Sequence, residues 1–129
     1  MKPLIYVAGP YTNPDPVVNT QRAIAVAEWV ESLGATPIIP HLSLLWHMYR
    51  PQGIDVWYQR DLDVLWHCDG LVRFPGASSG ADREVEYARA NAIETFYVDP
   101  FGELEDPCET WVDGCMDFEG WLRFEWAVG

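Results

Sequence analysis

Positive charge is scarce in this chain. Eight Lys and Arg stand against twenty Asp and Glu, for a net charge of -12. That balance argues against a nucleic-acid polymer as partner, because a phosphate backbone is gripped by clustered Lys and Arg. A small anion stays open as a ligand, since a few backbone dipoles can override the global field locally. Cysteine is sparse too. Cys68, Cys108 and Cys115 make an odd number without zinc-ligand spacing. The default is a reduced, cytoplasmic setting, with a Cys108–Cys115 disulfide as the less favoured alternative. His41 and His47 lack a Cys or a paired acid at metal-ligand spacing, so no metal is expected. No run is long and apolar enough to span a membrane, and Met1-Lys2-Pro3-Leu4 is too short for a signal h-region. There is neither a Walker loop nor a Gly-x-Gly-x-x-Gly motif. ATP and dinucleotide cofactors are therefore disfavoured, and no cofactor is expected.

Apolar residues are what the chain has in quantity, at 49% of 129 residues. That suits one domain with a real core. Leu4-Ile5-Tyr6-Val7-Ala8 reads as a buried opening strand that stops at Gly9-Pro10. Asn13-Pro14-Asp15-Pro16 reads as a helix entry. Ala23, Val26, Ala27, Val30 and Leu33 then share one helix face, and Gly34 closes it. Thr36 to Pro40 is a short second strand whose prolines limit its ladder. The stretch from His41 to Gln52 is apolar and aromatic without a clear period. A helix over Asp55 to His67 is predicted to turn Tyr58, Leu62 and Leu65 to the core. Leu71 to Phe74 is a third strand, about Gly80 to Asn91 a helix, and Thr95 to Val98 a fourth strand. Strands alternating with helices imply a parallel sheet with helices on both faces. Ligands of such sheets bind at the carboxyl ends of the strands. Those ends are Gly9-Pro10-Tyr11, Pro40-His41, Pro75 to Gly80 and Asp99-Pro100.

The most informative of these ends is Phe74-Pro75-Gly76-Ala77-Ser78-Ser79-Gly80-Ala81-Asp82-Arg83-Glu84. A small-residue loop there leads from strand to helix. Its backbone N–H groups and two hydroxyls would suit a phosphate or another anion. Glu84 is expected in the first helical turn beside that loop. The plainer reading is a connecting loop whose glutamate complements the helix dipole.

Three segments, in order, resemble the nucleoside 2-deoxyribosyltransferase superfamily, which includes small deoxynucleotide N-hydrolases. They are Ile5-Tyr6-Val7-Ala8-Gly9-Pro10-Tyr11; Trp57-Tyr58-Gln59-Arg60-Asp61-Leu62 with Cys68-Asp69-Gly70; and Pro75 to Glu84. The resemblance covers residues 4 to about 98. It implies an α/β fold, a Rossmann/flavodoxin-like three-layer sandwich with a parallel sheet of four to five strands. It also implies cleavage of the N-glycosidic bond between a nucleobase and a (deoxy)ribose. Glu84 would attack the anomeric carbon as in a retaining glycosidase, leaving a covalent glycosyl-enzyme. The helix N-terminus would help keep Glu84 ionised against desolvation. Asp61 matches the second carboxylate, which contacts the sugar and assists proton transfer to the leaving base. The plainer role for Asp61 is a solvated helix residue paired with an arginine.

In the family's transferases an aspartate lies six residues before the nucleophile, whereas in the nucleotide hydrolases that position is serine. Here it is Ser78, followed by Ser79 and Gly80. Hydroxyls and N–H groups would bind a phosphate that an aspartate would repel. Ser78 could equally cap the helix, and the two roles are compatible. Gly9, next to Pro10, would let the first loop approach the same phosphate. Tyr6 or Tyr11 could hydrogen-bond the nucleophile or the sugar. Tyr11, in a loop, is the preferred candidate, because a tyrosine in an opening strand is more often core. The base pocket is expected between His41 and Tyr58, with stacking on Trp46 or Trp57 and a hydrogen bond from His41 or His47, although a tryptophan in a small domain is more often core. Glu86 should face solvent. Asp82 and Arg83 could pair with each other or alter the pocket.

The leading expectation is an N-glycosidase of nucleoside 5'-monophosphates, with deoxyribonucleotides favoured. The alternatives are a base-exchanging deoxyribosyltransferase and a nucleotide-binding protein without turnover. The resemblance also implies a homodimer or larger homo-oligomer, a small-molecule partner and no membrane. Residues 1–100 would form the α/β domain, and residues 101–129 an acidic extension with Trp111, Trp121 and Trp126. That extension would dock on its own domain or on a neighbouring subunit, or present its tryptophans to a partner.

Overall fold

The computed structural model describes residues 1–102 and 118–127. The predicted tail therefore falls partly outside it, including Trp111, Cys108 and Cys115. Four strands form one all-parallel sheet: β1 (Leu4–Ala8), β2 (Thr36–Ile38), β3 (Gly70–Arg73) and β4 (Glu94–Tyr97). The helices are α1 (Pro16–Ser32), α2 (Leu44–Tyr49), α3 (Ile54–Leu65), α4 (Ser79–Ala90) and α5 (Phe118–Trp126). A 3-10 turn over Pro40–Ser43 leads into α2. No described helix is long and apolar enough to cross a membrane.

The opening strand is apolar at every position because it is covered on both faces. Ile5 and Val7 point to one side, where they meet Val26 and Val30 of α1 and Phe118 and Leu122 of α5. Tyr6 and Ala8 point to the other, where they meet Leu65 of α3 and Val85 and Ala88 of α4. The result is a three-layer sandwich, as the sequence implied. Edge strand β2 pairs only with β1, so the missing N–H of Pro37 is tolerated. Asp15 caps α1 by accepting from the Val17 N–H at 3.0 Å, and Pro16 starts the helix.

In α3 only Leu65 is fully buried. Leu62 packs at the core edge, while Tyr58 turns to a cavity instead of the core. Helix α5 lies on the α1 face. Its Trp121 ring is 5.0 Å from Phe96 and covers Gly70, where a Cβ would come within 3.1 Å of the indole.

The strand order is β2-β1-β3-β4. The chain leaves β1 toward one edge, then returns across the sheet to build the other. The loops after β1 and β3 therefore diverge, opening a crevice at the switch point between them.

Candidate active site

The two diverging loops are locked together. Gly9 carries no side chain because the Phe74 ring occupies its place; a Cβ there would lie 2.1 Å from the ring. Gly76 has φ +124°, and a Cβ on it would meet Pro10 at 2.5 Å. Asn19, buried on α1, donates to the Tyr11 and Asn13 carbonyls at 3.0 and 2.8 Å. His41 Nε2 donates to the Pro10 carbonyl at 2.9 Å. Burial pushes the imidazole pKa down, so the ring is neutral. Its Nδ1 is buried as well, so His41 acts as a latch between the first loop and the 3-10 turn.

Above these loops lies a cavity of about 570 Å³. Gly9, Pro10 and Tyr11 from the first loop, His41, Trp57 and Asp61 from α3, and Ser78, Ser79, Gly80 and Glu84 from the β3–α4 segment line it, whereas Trp46, expected in the base pocket, does not and packs edge-on against Trp57 instead. His47 of α2 joins the lining.

Ser78 is the N-cap of α4, its Oγ accepting from the Ala81 N–H at 3.1 Å. The cap uses an oxygen lone pair and leaves the hydroxyl proton free to donate elsewhere. The N–H groups of Ser79 and Gly80 belong to the helix's open first turn.

Glu84 is placed differently from the expectation. The helix starts at Ser79, so Glu84 sits in its second turn, buried at 7% exposure. The dipole's support fades beyond the first turn, and desolvation wins. Burial raises the Glu84 pKa to about 8; Asp61 adds to the rise, while the Tyr6 hydrogen bond and Arg73 oppose it. Burial also raises Asp61 to about 7, against the pull of Arg60. The two carboxyls are thus poised near neutrality.

The tyrosine bonded to Glu84 is Tyr6, whose hydroxyl donates to Oε2. Tyr6 is fully buried, and its own pKa is raised, by burial first and then by Glu84. Tyr11 instead stands at the cavity wall with its ring edge toward His41, centroids 5.8 Å apart. The pleat explains the choice: Tyr6 points to the α4 face, directly beneath Glu84. A tyrosine can be core and site at once, which the sequence argument did not allow for.

Asp82 and Arg83 do not pair with each other. Asp82 accepts from Arg73 at 3.1 Å, and Arg83 lies 4.1 Å over the Tyr58 ring at the cavity wall. Glu86 is exposed. Arg73 went unnoticed in the sequence. It is buried at the end of β3 and donates to the Phe74 and Gly76 carbonyls, bracing the loop that carries Ser78. Its signal was a lone arginine closing an otherwise apolar strand.

Also lining the cavity, Trp57 Nε1 donates to His47 Nδ1 at 2.7 Å. Arg60 stacks over Trp46 and Trp57, at 4.1 and 5.3 Å from their centroids. Among the described residues, no group of three His, Cys, Asp or Glu side chains is placed to hold a metal ion.

No family model matches the sequence, and no curated protein matches it. Solved structures do. A 2-deoxyribosyltransferase from the psychrotolerant bacterium Bacillus psychrosaccharolyticus aligns over 80% of this chain and 77% of its own, with TM-score 0.53 and 18% identity. A 2-deoxyribosyltransferase from Leishmania mexicana aligns over 91% of this chain and 80% of its own, with TM-score 0.57 and 19% identity. This chain has the α/β fold of the 2-deoxyribosyltransferases.

Proposed function

We propose that the chain cleaves the N-glycosidic bond of a nucleoside 5'-monophosphate, with a deoxyribonucleotide favoured. The observation that carries this is a buried glutamate, Glu84, held by the Tyr6 hydroxyl at the wall of a cavity that also contains Asp61. A carboxylate fixed in this way suits attack on an anomeric carbon. As the Glu84 oxygen bonds to C1', the C1'–N bond breaks and its electron pair leaves with the base. Asp61, with its pKa near 7, supplies the proton the base needs. Water, deprotonated by Asp61, then attacks C1'. The sugar is released and Glu84 returns as a carboxylate.

The Ser78 hydroxyl and the N–H groups of Ser79 and Gly80 offer donors without a carboxylate among them, which favours a phosphate over a bare hydroxyl. The fold is shared with proteins named as deoxyribosyltransferases. Base exchange between deoxynucleosides is therefore the second reading, and the missing aspartate at position 78 disfavours it.

Chromatography of free base released from nucleosides and their 5'-monophosphates, with and without an acceptor base, tests this. Release from monophosphates alone, lost in Glu84→Ala, is expected. Exchange with unphosphorylated deoxynucleosides would instead establish the transferase. Ligand binding without release from any compound would leave only a binding protein.

A further inference from the structure

Trp57 and His47 carry a consequence for which base is accepted. An indole N–H can only donate. With Trp57 Nε1 at 2.7 Å, His47 Nδ1 must be a bare acceptor, and the Gln52 backbone N–H approaches the same atom at 3.4 Å. The neutral ring then carries its proton on Nε2. That N–H has no partner among the described residues, and His47 is a half-buried member of the cavity wall. Trp57 is itself braced, edge-on to Trp46 and beneath Arg60.

Ser78 to Gly80 and the first loop line the cavity together with His47 of α2 and Trp57 of α3. With the sugar at Glu84 and its 5' substituent on the Ser78 loop, as proposed above, the His47–Trp57 pair is the part of the lining left for the base.

We propose that His47, locked by Trp57 as an Nε2–H donor, reads a hydrogen-bond acceptor on the substrate's nucleobase, a ring nitrogen or a carbonyl oxygen. The inference rests on the N-glycosidic reading above. At that point His47 is a donor held in place by the Trp57 contact. It offers one polarity only, so a base presenting an N–H at that point leaves two donors opposed and is rejected.

The test uses the full chain, labelled with nitrogen-15. Spectra of the imidazole nitrogens report which atom holds the proton. Wild type should show a protonated Nε2, and Trp57→Phe should show a tautomer mixture. dAMP, dGMP, dCMP and dTMP are then titrated into Glu84→Gln. The accepted nucleotide should move the His47 Nε2 resonance. In the same background His47→Leu should weaken that nucleotide about tenfold, while His47→Gln, which keeps a donor, should stay within about threefold. Deoxyribose 5-phosphate, which lacks a base, should bind His47→Leu and its parent equally. Nucleotide binding with a silent His47 resonance would overturn the inference and leave the N-glycosidic reading standing. Equal weakening of deoxyribose 5-phosphate would overturn it as a folding effect. Failure of every nucleotide and of the sugar phosphate to bind would overturn both.

Discussion

Glu84 is buried next to a second carboxyl, and its chemistry follows from that placement. The proposed cleavage requires Glu84 without its proton and Asp61 with one. Their pKa values, about 8 and about 7, lie in the opposite order to that requirement. Only a minority of molecules therefore hold the productive arrangement, and it is most populated between those two values. The expected kcat/KM profile is a bell centred between about pH 7 and 8, and Asp61→Asn should remove its alkaline limb. A profile flat from acid to alkaline pH would contradict the assignment. Stability carries the opposite sign to an ordinary ion-paired acid. The folded pKa of Glu84 is raised above its usual value of 4.5, so the fold favours the protonated form. Its penalty is absent at low pH and grows as pH rises from there through about 8. Glu84→Gln keeps a partner for Tyr6 and removes the charge. Thermal melts should show it more stable than wild type at alkaline pH, by a Tm gain of roughly 3 °C or more, and little different at acid pH. Glu84 was readable in the sequence because the loop motif and its glutamate are local, whereas Asp61 was singled out only through the family resemblance. Tyr6 ranked behind Tyr11 there because the face of a strand residue depends on which helix comes to cover it.

Two glycines position the loops at the scale of elements. Gly9→Ala forces a Cβ against the ring of Phe74, which is fully buried. Denaturant unfolding should show a loss of about 1–3 kcal/mol, as for overpacking elsewhere. Because Phe74 begins the loop that leads to Ser78, activity should fall further than stability alone accounts for. An unchanged unfolding midpoint would mean that the loops are less tightly joined than the contact implies. Elements with one face on a core were legible from their period: α1 through Ala23, Val26 and Val30, and the strands through their apolar runs. The segment from His41 to Gln52 was not. It folds as a 3-10 turn and a short helix, and α2 buries none of its residues. A helix without a buried face leaves no period to read. The polar braces Asn19 and Arg73 escaped for a related reason, since the loops they hold are gripped through backbone carbonyls, which any sequence supplies.

Across the whole molecule, the sandwich is closed by chain from its far end. Helix α5 completes the α1 face, with Phe118 and Leu122 buried and Trp121 resting on Gly70 and Phe96. Trp121→Ala should lower stability by about 2–3 kcal/mol, somewhat less than a fully buried tryptophan, because the indole is partly exposed. Nucleotide affinity should hold at temperatures where the variant is folded, since α5 lies across the sheet from α3 and α4, which line the cavity. A Tm equal to wild type would mean that α5 adds little to the core. The acidic composition was visible from the outset, and under the proposed function a phosphate would be met by backbone dipoles and hydroxyls, not by a cluster of cations.

The central claim is that Glu84 becomes covalently attached to the sugar. Intact-protein mass spectrometry of samples quenched during turnover of the cleaved deoxynucleotide, followed by peptide mapping, tests it most directly. The account predicts a deoxyribosyl 5-phosphate adduct on the peptide containing Glu84, absent in Glu84→Gln. Base release with no adduct, or with the adduct on another residue, would contradict it.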